Sequence, residues 1–579
     1  MSPISLAASP VPVQPVTPPP TSGAPVVADA SVIAAPAAPR VDESVGKVPE
    51  VPAPDNPGIA AGPTANVLIA RMKVQADLTD EALLPRGPER KAAVYRDLVE
   101  TARTSQADAL AALEQLKASG DVTAVESLFL PNAILVTTKA GRHQSVADAL
   151  AGVANVSQVA ENKTWAVDAD AGATGQTGEL APGHAGAIAG AAMLAYARGF
   201  VDGPKWLDVD NARRAELEVL GANQPTDDAS VPTPVVDGEA PATAATPANG
   251  GRRDLAPEGS VEWGVAKINA PAAWAQGAAG AGVTVGIVDT GLDAAHPAIR
   301  DHYRGTNADG SQTHDYNWFD PFTRSAKPFD DGEHGTHVAG STAGGTDERA
   351  IGVAPGAKII AAKAINGAGY NTTSATLQAL QFMLAPTKTD GTAPDPTKGA
   401  DVINNSWGNA NQADDTFMES FRALKAAGIE VVTAAGNDGP REGTVSPPGS
   451  YPGYLSVAAS TERDSIASFS SRGPSKFATP EEMTPNVTAP GAGVTSSVPG
   501  GGYSRMSGTS MASPHVAGAV AVLLSKFPQA THDQIVSALT KTAVDIDRPG
   551  PDNAAGFGRI DVAKALEYLG GQQGMTPAT

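Results

Sequence analysis

Four side chains of this 579-residue chain are of types that could open an acyl bond together, and each follows or precedes an apolar run. Ser510 lies in SGTSMASPHVAG (507–518), ahead of the apolar run AVAVLLSKF. A serine at a helix start is presented among backbone N–H groups that lack intrahelical partners. His334 lies in DDGEHGTHVAGSTAGG, where an imidazole could take a hydroxyl proton near neutral pH. Asp289 closes the strand-like run of VGIVDTGLD, and its carboxylate could orient a histidine. Asn437 follows another such run in IEVVTAAGNDGP, and its amide could donate to a developing oxyanion. Taken singly, each has an ordinary structural role: a capping or turn-forming Asp, a loop Asn, a small Ser that lets a helix approach its neighbours. Their order along the chain, Asp, His, Asn, Ser, is what makes them one candidate constellation.

The two histidines His334 and His337 stand three apart and could share a helix face. A zinc-type H-E-x-x-H pair needs i, i+4 spacing with the glutamate between. Glu333 lies outside the pair and no third ligand is near it in sequence, so no metal site is expected there. The chain has no cysteine, which removes disulfides, thiolate catalysis and Cys-type zinc sites together.

Strand-like runs such as VTVGIVDTG, AKIIAAKAI, DVINNSWG, IEVVTAAGN and LSVAAS alternate with helix-like HGTHVAGSTAGG, SATLQALQFML and DTFMESFRALKAAG. Continuous apolar strands alternating with helices predict an α/β fold whose mostly parallel central sheet is covered by helices on both faces. In such sheets ligands gather at the carboxyl ends of the strands; Asp289 and Asn437 directly follow strand-like runs, and His334 and Ser510 stand at helix starts.

The rest of the chain divides by composition. Residues 1–65 are rich in Pro, Ala and Val without a 3.6 or 2 period and read as a disordered tail. Residues 66–168 read as a small α+β domain. It has a helical stripe over about 89–118 (Tyr95, Leu98, Val99 and Ala102, continued by Leu110, Leu113 and Leu116). A strand at Asn132–Thr138, a helix at Ser145–Val153 and a strand at Val156–Trp165 follow. Residues 169–257 read as an Ala/Gly/Pro-rich linker with helical stretches at Ala185–Arg198 and Asp208–Leu220. The large α/β domain is expected over 258–569 and a flexible tail over 570–579.

The net charge of −21 argues against nucleic acid as a partner, because phosphate binding needs a basic patch. No run of about 18–20 strongly apolar residues is present to cross a bilayer, so no membrane partner is expected. The start MSPISLAASPVPVQPVTPPP has no Lys or Arg before Arg40 and is broken by prolines, so it does not read as a secretory signal.

Residues 258–569 resemble the subtilisin-like serine proteases (subtilases, peptidase family S8) in VDTGLD, HGTHVAG, AAGNDGP and GTSMASPHVAG, in family order. DVINNSWG and SFSSRGP fit as well, and VEWGVAKINAPAAW, HDYNWFDPF and GFGRIDVAKAL are similar to the bacillopeptidase F-like branch. The resemblance implies a three-layer subtilisin-like fold and a serine endopeptidase of broad specificity with Asp289, His334 and Ser510 as catalytic triad. It implies an oxyanion hole from Asn437 and the Ser510 N–H, and Ser406-Trp407-Gly408 as a substrate-binding edge. It implies that 66–168 is a propeptide that helps folding and blocks the site until cut away, with the cut between about Trp165 and Glu262. Protein or peptide substrates and the chain's own propeptide are the expected partners, the enzyme is expected to be a monomer, and the family implies secretion. No cofactor is needed for the chemistry. A structural calcium is left open, because the loop GGTDERAIGVAP lacks the family's Asn-x-Ile pattern, and Asp330-Asp331 and Asp347-Glu348 are the acidic pairs that could hold an ion. Two rival classes use the same fold: a catalytically dead binding protein, and an esterase or peptide ligase using the same triad.

Overall fold

Seven strands hydrogen-bond side by side in the order Val487–Pro490, Leu455–Ser460, Glu430–Ala434, Val402–Asn405, Thr284–Asp289, Lys358–Lys363 and Trp318–Phe319, every neighbouring pair parallel. The computed structural model describes residues 66–166, 260–477 and 482–573. By contact, residues 56–579 form one unit and Met1–Asp55 another, so every described residue belongs to the former. The tail over 1–65 and the helical stretches expected at Ala185–Arg198 and Asp208–Leu220 lie outside the described residues.

The N-terminal lobe runs β1 (Val67–Met72), α1 (Pro88–Ser105), α2 (Ala107–Ala118), β2 (Val122–Leu128), β3 (Ala133–Thr138), α3 (His143–Ala151), β4 (Val156–Glu161) and β5 (Thr164–Ala166). Strands β1–β4 form a sheet of order β2-β3-β1-β4 with α2 and α3 against it. The helical stripe over 89–118 is not one helix. The chain breaks at Gln106, which is fully buried and whose side-chain amide serves the carbonyls of Leu128 and Ala133 and the Asn132 side chain. The break sends the two apolar stripes to different cores. Val94 and Leu98 of α1 join the core of the second lobe, while Ala109 and Leu113 of α2 pack on the lobe's own sheet. The single strand expected over Val156–Trp165 is likewise two, because β5 leaves β4 to pair elsewhere.

The sheet lobe runs α4 (Trp263–Lys267), α5 (Ala270–Ala275), β6 (Thr284–Asp289), α6 (Pro297–Arg300), β7 (Trp318–Phe319) and α7 (His334–Ala343). A hairpin of β8 (Gly345–Thr346) and β9 (Arg349–Ala350), then β10 (Lys358–Lys363), β11 (Tyr370–Thr372), α8 (Thr373–Leu384), β12 (Val402–Asn405) and α9 (Met418–Ala426) follow. The chain closes with β13 (Glu430–Ala434), β14 (Leu455–Ser460), β15 (Val487–Pro490), β16 (Val494–Val498), β17 (Gly502–Met506), α10 (Thr509–Lys526), α11 (His532–Lys541) and α12 (Val562–Gln573). α12 runs on to Gln573, past the boundary expected at residue 570, and its own Leu566 and Leu569 are buried.

Successive side chains of a strand point to opposite faces, and here both faces are cores. Val285, Ile287, Ile359, Val402 and Val432 face α7 and α10, while Val288, Ile360, Ile403 and Val431 face α8 and α9. That is why the strands read as continuous apolar runs. The second core also takes in Ile69, Leu128, Leu130 and Leu135 of the N-terminal lobe, so the two lobes share it. Strand order reverses beside β6, with β10 on one side and β12 on the other, and crevices for ligands open at the carboxyl ends of strands where such a reversal occurs.

Helices α7 and α10 cross closely at small residues. Ala at position 518 would relieve a helix-interior glycine of about 1 kcal/mol. Its Cβ, however, would lie 2.7 Å from Val353 Cβ and 2.8 Å from the Thr342 carbonyl oxygen. Overpacking of this kind costs about 1–3 kcal/mol. Gly518→Ala is therefore expected to lower stability by up to about 2 kcal/mol, read as a lower urea midpoint at unchanged slope.

Candidate active site

Asp289 is the last residue of β6 and His334 the first of α7, with relative exposures of 0% and 1%. His334 Nδ1 and Asp289 Oδ1 lie 2.7 Å apart. The Thr290 backbone N–H donates to the same oxygen at 2.7 Å. A side chain after the histidine would forbid this approach, since a Cβ on Gly335 would stand 2.3 Å from the Gly291 carbonyl oxygen. The histidine's flank is tied down as well. Gly335 N–H donates to Thr290 Oγ1 at 2.8 Å, and that hydroxyl donates to Asp330 Oδ1 at 2.8 Å. Asp330 Oδ2 accepts from the Thr336 N–H and hydroxyl at 2.8 and 2.7 Å.

Thr290 and Asp330 escaped the sequence reading as parts of the site. The acidic run in DDGEH was the signal: Asp330 meets Thr290 and Thr336, and Asp331 the Lys363 ammonium. Among the described residues, no group of three or more His, Asp or Glu is arranged to hold a metal ion.

Ser510 is the second residue of α10, whose residues from Thr509 to Leu524 are all buried. Its Oγ donates to the Ser406 carbonyl oxygen at 3.1 Å, and Ser406 Oγ returns a bond to the Ser510 carbonyl oxygen at 2.8 Å. The second bond answers a difficulty raised by Pro514. α10 starts at Thr509, so Pro514 lies in its second turn. There it deprives the Ser510 carbonyl of its helical donor, and the Ser406 hydroxyl takes the donor's place.

Asn437 follows β13. Its Oδ1 accepts from the Thr509 N–H at 2.9 Å and the Thr509 hydroxyl at 3.0 Å. With the oxygen so fixed, the amide nitrogen turns the other way. The point where a Cβ on Gly508 would sit is 3.6 Å from Asn437 Nδ2 and 3.5 Å from Ser510 N. Asn437 Nδ2 and the Ser510 backbone N thus both lie close to Gly508, at the start of α10.

Trp407 is 2% exposed, and its ring packs edge-on against Phe417 at 5.4 Å, which in turn meets Trp165 at 5.9 Å. Its indole is a core group, so any contact of Ser406-Trp407-Gly408 with a ligand runs through backbone. Gly408 is hemmed in, since a Cβ there would stand 2.8 Å from Ser446 Oγ. The strand that does receive another chain segment is β11, which the sequence reading missed. It pairs antiparallel with β5: Tyr370 opposite Ala166, Asn371 opposite Trp165 and Thr372 opposite Thr164. A cavity of about 630 Å³ opens beside this pairing, lined by Trp165, Asn409 and Asp414 among others, not by Asp289, His334 or Ser510.

Three more titratable groups are buried behind the site. His337 Nε2 lies 3.2 Å from the carbonyl oxygens of Val494 and Ser504. His515 Nδ1 donates to the Met511 carbonyl at 2.8 Å. Glu262 accepts from Gly264 N–H at 2.6 Å and Thr495 N–H at 3.2 Å. Burial, aided by the neighbouring His334, depresses His337 to about 3. Burial likewise depresses His515 to about 4. Burial raises Glu262 to about 7 against the pull of its backbone donors.

The Subtilase family profile matches residues 280–558. The chain is 38% identical over 326 residues to bacillopeptidase F of Bacillus subtilis (strain 168), a match that covers 53% of this chain and 22% of that protein. It is 34% identical over 312 residues to subtilisin E of the same organism, covering 53% of this chain and 72% of the relative. With the subtilisin of Bacillus pumilus the identity is also 34% over 312 residues, covering 53% of this chain and 99% of the relative. The chain thus spans about a fifth of bacillopeptidase F but most of each subtilisin. No helix among the described residues is long and apolar enough to cross a membrane.

The buried groups set an acid dependence. From the ordinary histidine value of 6.5 downward, the unfolded chain protonates His337 and His515 while the folded chain does not, so stability falls as pH falls. Glu262 acts oppositely: its raised value contributes stability that is full below 4.5 and lost as pH rises through about 7. Between pH 4.5 and 6.5 these groups leave a net difference of about one proton, or ~1.4 kcal/mol per pH unit. Glu262→Gln removes the opposing proton. Its stability is expected to fall more steeply on acidification across that window, by ~1.4 kcal/mol per pH unit, measured by urea unfolding at stepped pH.

Proposed function

The chain belongs to the subtilase family, and from that premise we propose that it is a serine endopeptidase whose nucleophile is Ser510. His334 takes the Ser510 proton as the hydroxyl attacks a peptide carbonyl, then delivers it to the leaving amine. Asp289 holds the imidazole tautomer and balances the imidazolium. The Asn437 amide and the Ser510 N–H stabilise the tetrahedral oxyanion, aided by the positive end of α10. Water then opens the acyl-enzyme by the same steps in reverse. What supports this reading most is the dry 2.7 Å contact of His334 with Asp289 at a strand end. No cofactor enters these steps.

The N-terminal lobe fits the part of a propeptide. Its last described strand, β5, lies on β11 as an added strand, the way an extended peptide docks on a sheet edge through main-chain bonds. Substrates would bind the same edge by backbone, which favours broad over strict sequence selectivity. A cut between residues 166 and 260 would free the lobe from the enzyme. The family likeness also favours work outside the cell, on protein substrates and as a monomer.

The test is reaction of the purified protein with a fluorophosphonate, followed by peptide mapping and assays on casein and a simple ester. Labelling at Ser510 with hydrolysis of both substrates is expected. Neither label nor hydrolysis would mean a binding protein on a protease fold, and ester hydrolysis alone would mean a different hydrolase. Within the proposed reading, Asn437→Ala is expected to lower kcat about 10²–10³-fold, the size known for the corresponding donor in subtilisin, with KM little changed.

A further inference from the structure

Between β1 and α2 the N-terminal lobe carries a segment, residues 73–105, that leaves its own sheet and lies along the sheet lobe. Three cations stand at the start of α1. Arg86 is 9% exposed and uses its whole guanidinium: Nε donates to the Ala530 carbonyl at 3.2 Å, one terminal nitrogen to the Gly428 carbonyl, and the other to Glu430 Oε1 at 2.5 Å. Glu430 is 2% exposed, and its second oxygen meets His532 Nδ1 at 2.8 Å. Arg90 donates to the Ala426 and Lys425 carbonyls, the negative end of α9. Lys91 is 3% exposed and reaches the Gly399 carbonyl at 2.9 Å and Asp401 Oδ1 at 2.7 Å.

The acceptors share a location. Glu430 opens β13, and Asp401 precedes β12 and holds the first N–H of β6 at 2.9 Å. These are the amino ends of the strands, whereas Asp289 and Asn437 stand at or past their carboxyl ends. β6 has six residues, so the two places lie roughly 16 Å apart along the strand. Burial alone would raise the Glu430 carboxyl, but the His532 bond and the His532 and Arg86 charges outweigh it and hold it at about 2. The carboxylate is therefore charged, nearly dry and dependent on its cations.

We propose that Gly428, Glu430 and Ala530 form a guanidinium socket at the amino ends of the strands. Arg86 seated there is a second anchor, remote from the catalytic cleft, that sets how fast the N-terminal lobe leaves after the chain is cut. The release clause rests on the propeptide reading above; the socket itself does not. A cut between residues 166 and 260 touches neither the socket nor Arg86. The lobe can then leave only by stripping a desolvated guanidinium from a desolvated carboxylate, and losing one partner of such a pair acts mainly on the dissociation rate. Arginine suits the task because its planar fork presents donors to three separated acceptors in one fixed geometry, where a compact ammonium is a point charge with rotatable donors.

Two measurements on the full chain test this. In Ser510→Ala protein, adding Arg86→Gln is expected to raise hydrogen exchange on the order of ten-fold in residues 88–105 and 428–432, while amides of the β5–β11 pair stay as protected as before. Unchanged exchange would overturn the socket. In the active chain, Arg86→Gln is expected to be cut at the wild-type rate, but with the lag between cutting and peptidase activity shortened on the order of ten-fold. Arg86→Lys, which keeps the charge and loses the fork, is expected to fall between and guards against a folding defect in the first variant. Faster exchange with an unchanged lag would overturn the release clause. A wild-type chain that is never cut would overturn that clause together with the propeptide reading, and exchange alone would then decide the socket.

Discussion

The structure turns on one contact, the dry hydrogen bond between Asp289 and His334. Removing a carboxylate from water costs several kcal/mol unless donors replace the solvent. Here the imidazole and the Thr290 N–H replace it. The contact dictates its surroundings. The residue after the histidine must lack a side chain, because Gly291 backbone fills the space. Asp330 and Thr290 must hold the start of α7, because a histidine free to rotate would leave the carboxylate stranded. The strand must end at Asp289, because only there does the sheet open to a crevice.

The two-faced sheet adds the second constraint. With nearly all residues of the central strands buried on one face or the other, chemistry is confined to the strand ends. The same burial explains how α10 delivers Ser510. The helix is small and apolar enough to lie almost wholly inside, and the Ser406 hydroxyl repairs the one bond that Pro514 removes. The N-terminal lobe uses both ends of this arrangement. β5 sits on β11 near the carboxyl ends, α1 plants its cations at the amino ends, and the apolar core between is held in common.

Much of the sheet lobe was legible because strands buried on both faces read as unbroken apolar runs closed by Gly, Asp or Asn. The four chemical side chains were legible for the same reason, being the polar residues at those breaks. What escaped depended on contacts distant in sequence. β1 is a mostly buried apolar run, VLIARM, that lies apart from the alternating pattern of the sheet lobe, while β2 is buried only at its two ends and carries no continuous apolar signal. The split between α1 and α2 at Gln106 comes from acceptors on β2 and β3 some twenty or more residues away, while the apolar stripe runs on through it. Asp330 looks like one of two surface acids until Thr290 and Thr336 are placed against it. The packing of Trp407 on Phe417 is likewise invisible until the two are brought together. The basic start of α1 carries no signal in an acidic chain, because Glu430 and Asp401 meet it only in the folded state.

The most direct test of the account is the intact mass and N-terminal sequence of the purified chain beside its Ser510→Ala variant, made in the same host. The account predicts that the wild-type chain begins between residues 167 and 260, while the variant keeps residues 66–166 joined to the rest. A variant trimmed to the same new N-terminus as the wild type would contradict it, as would an intact wild-type chain that digests casein with its N-terminal lobe still attached.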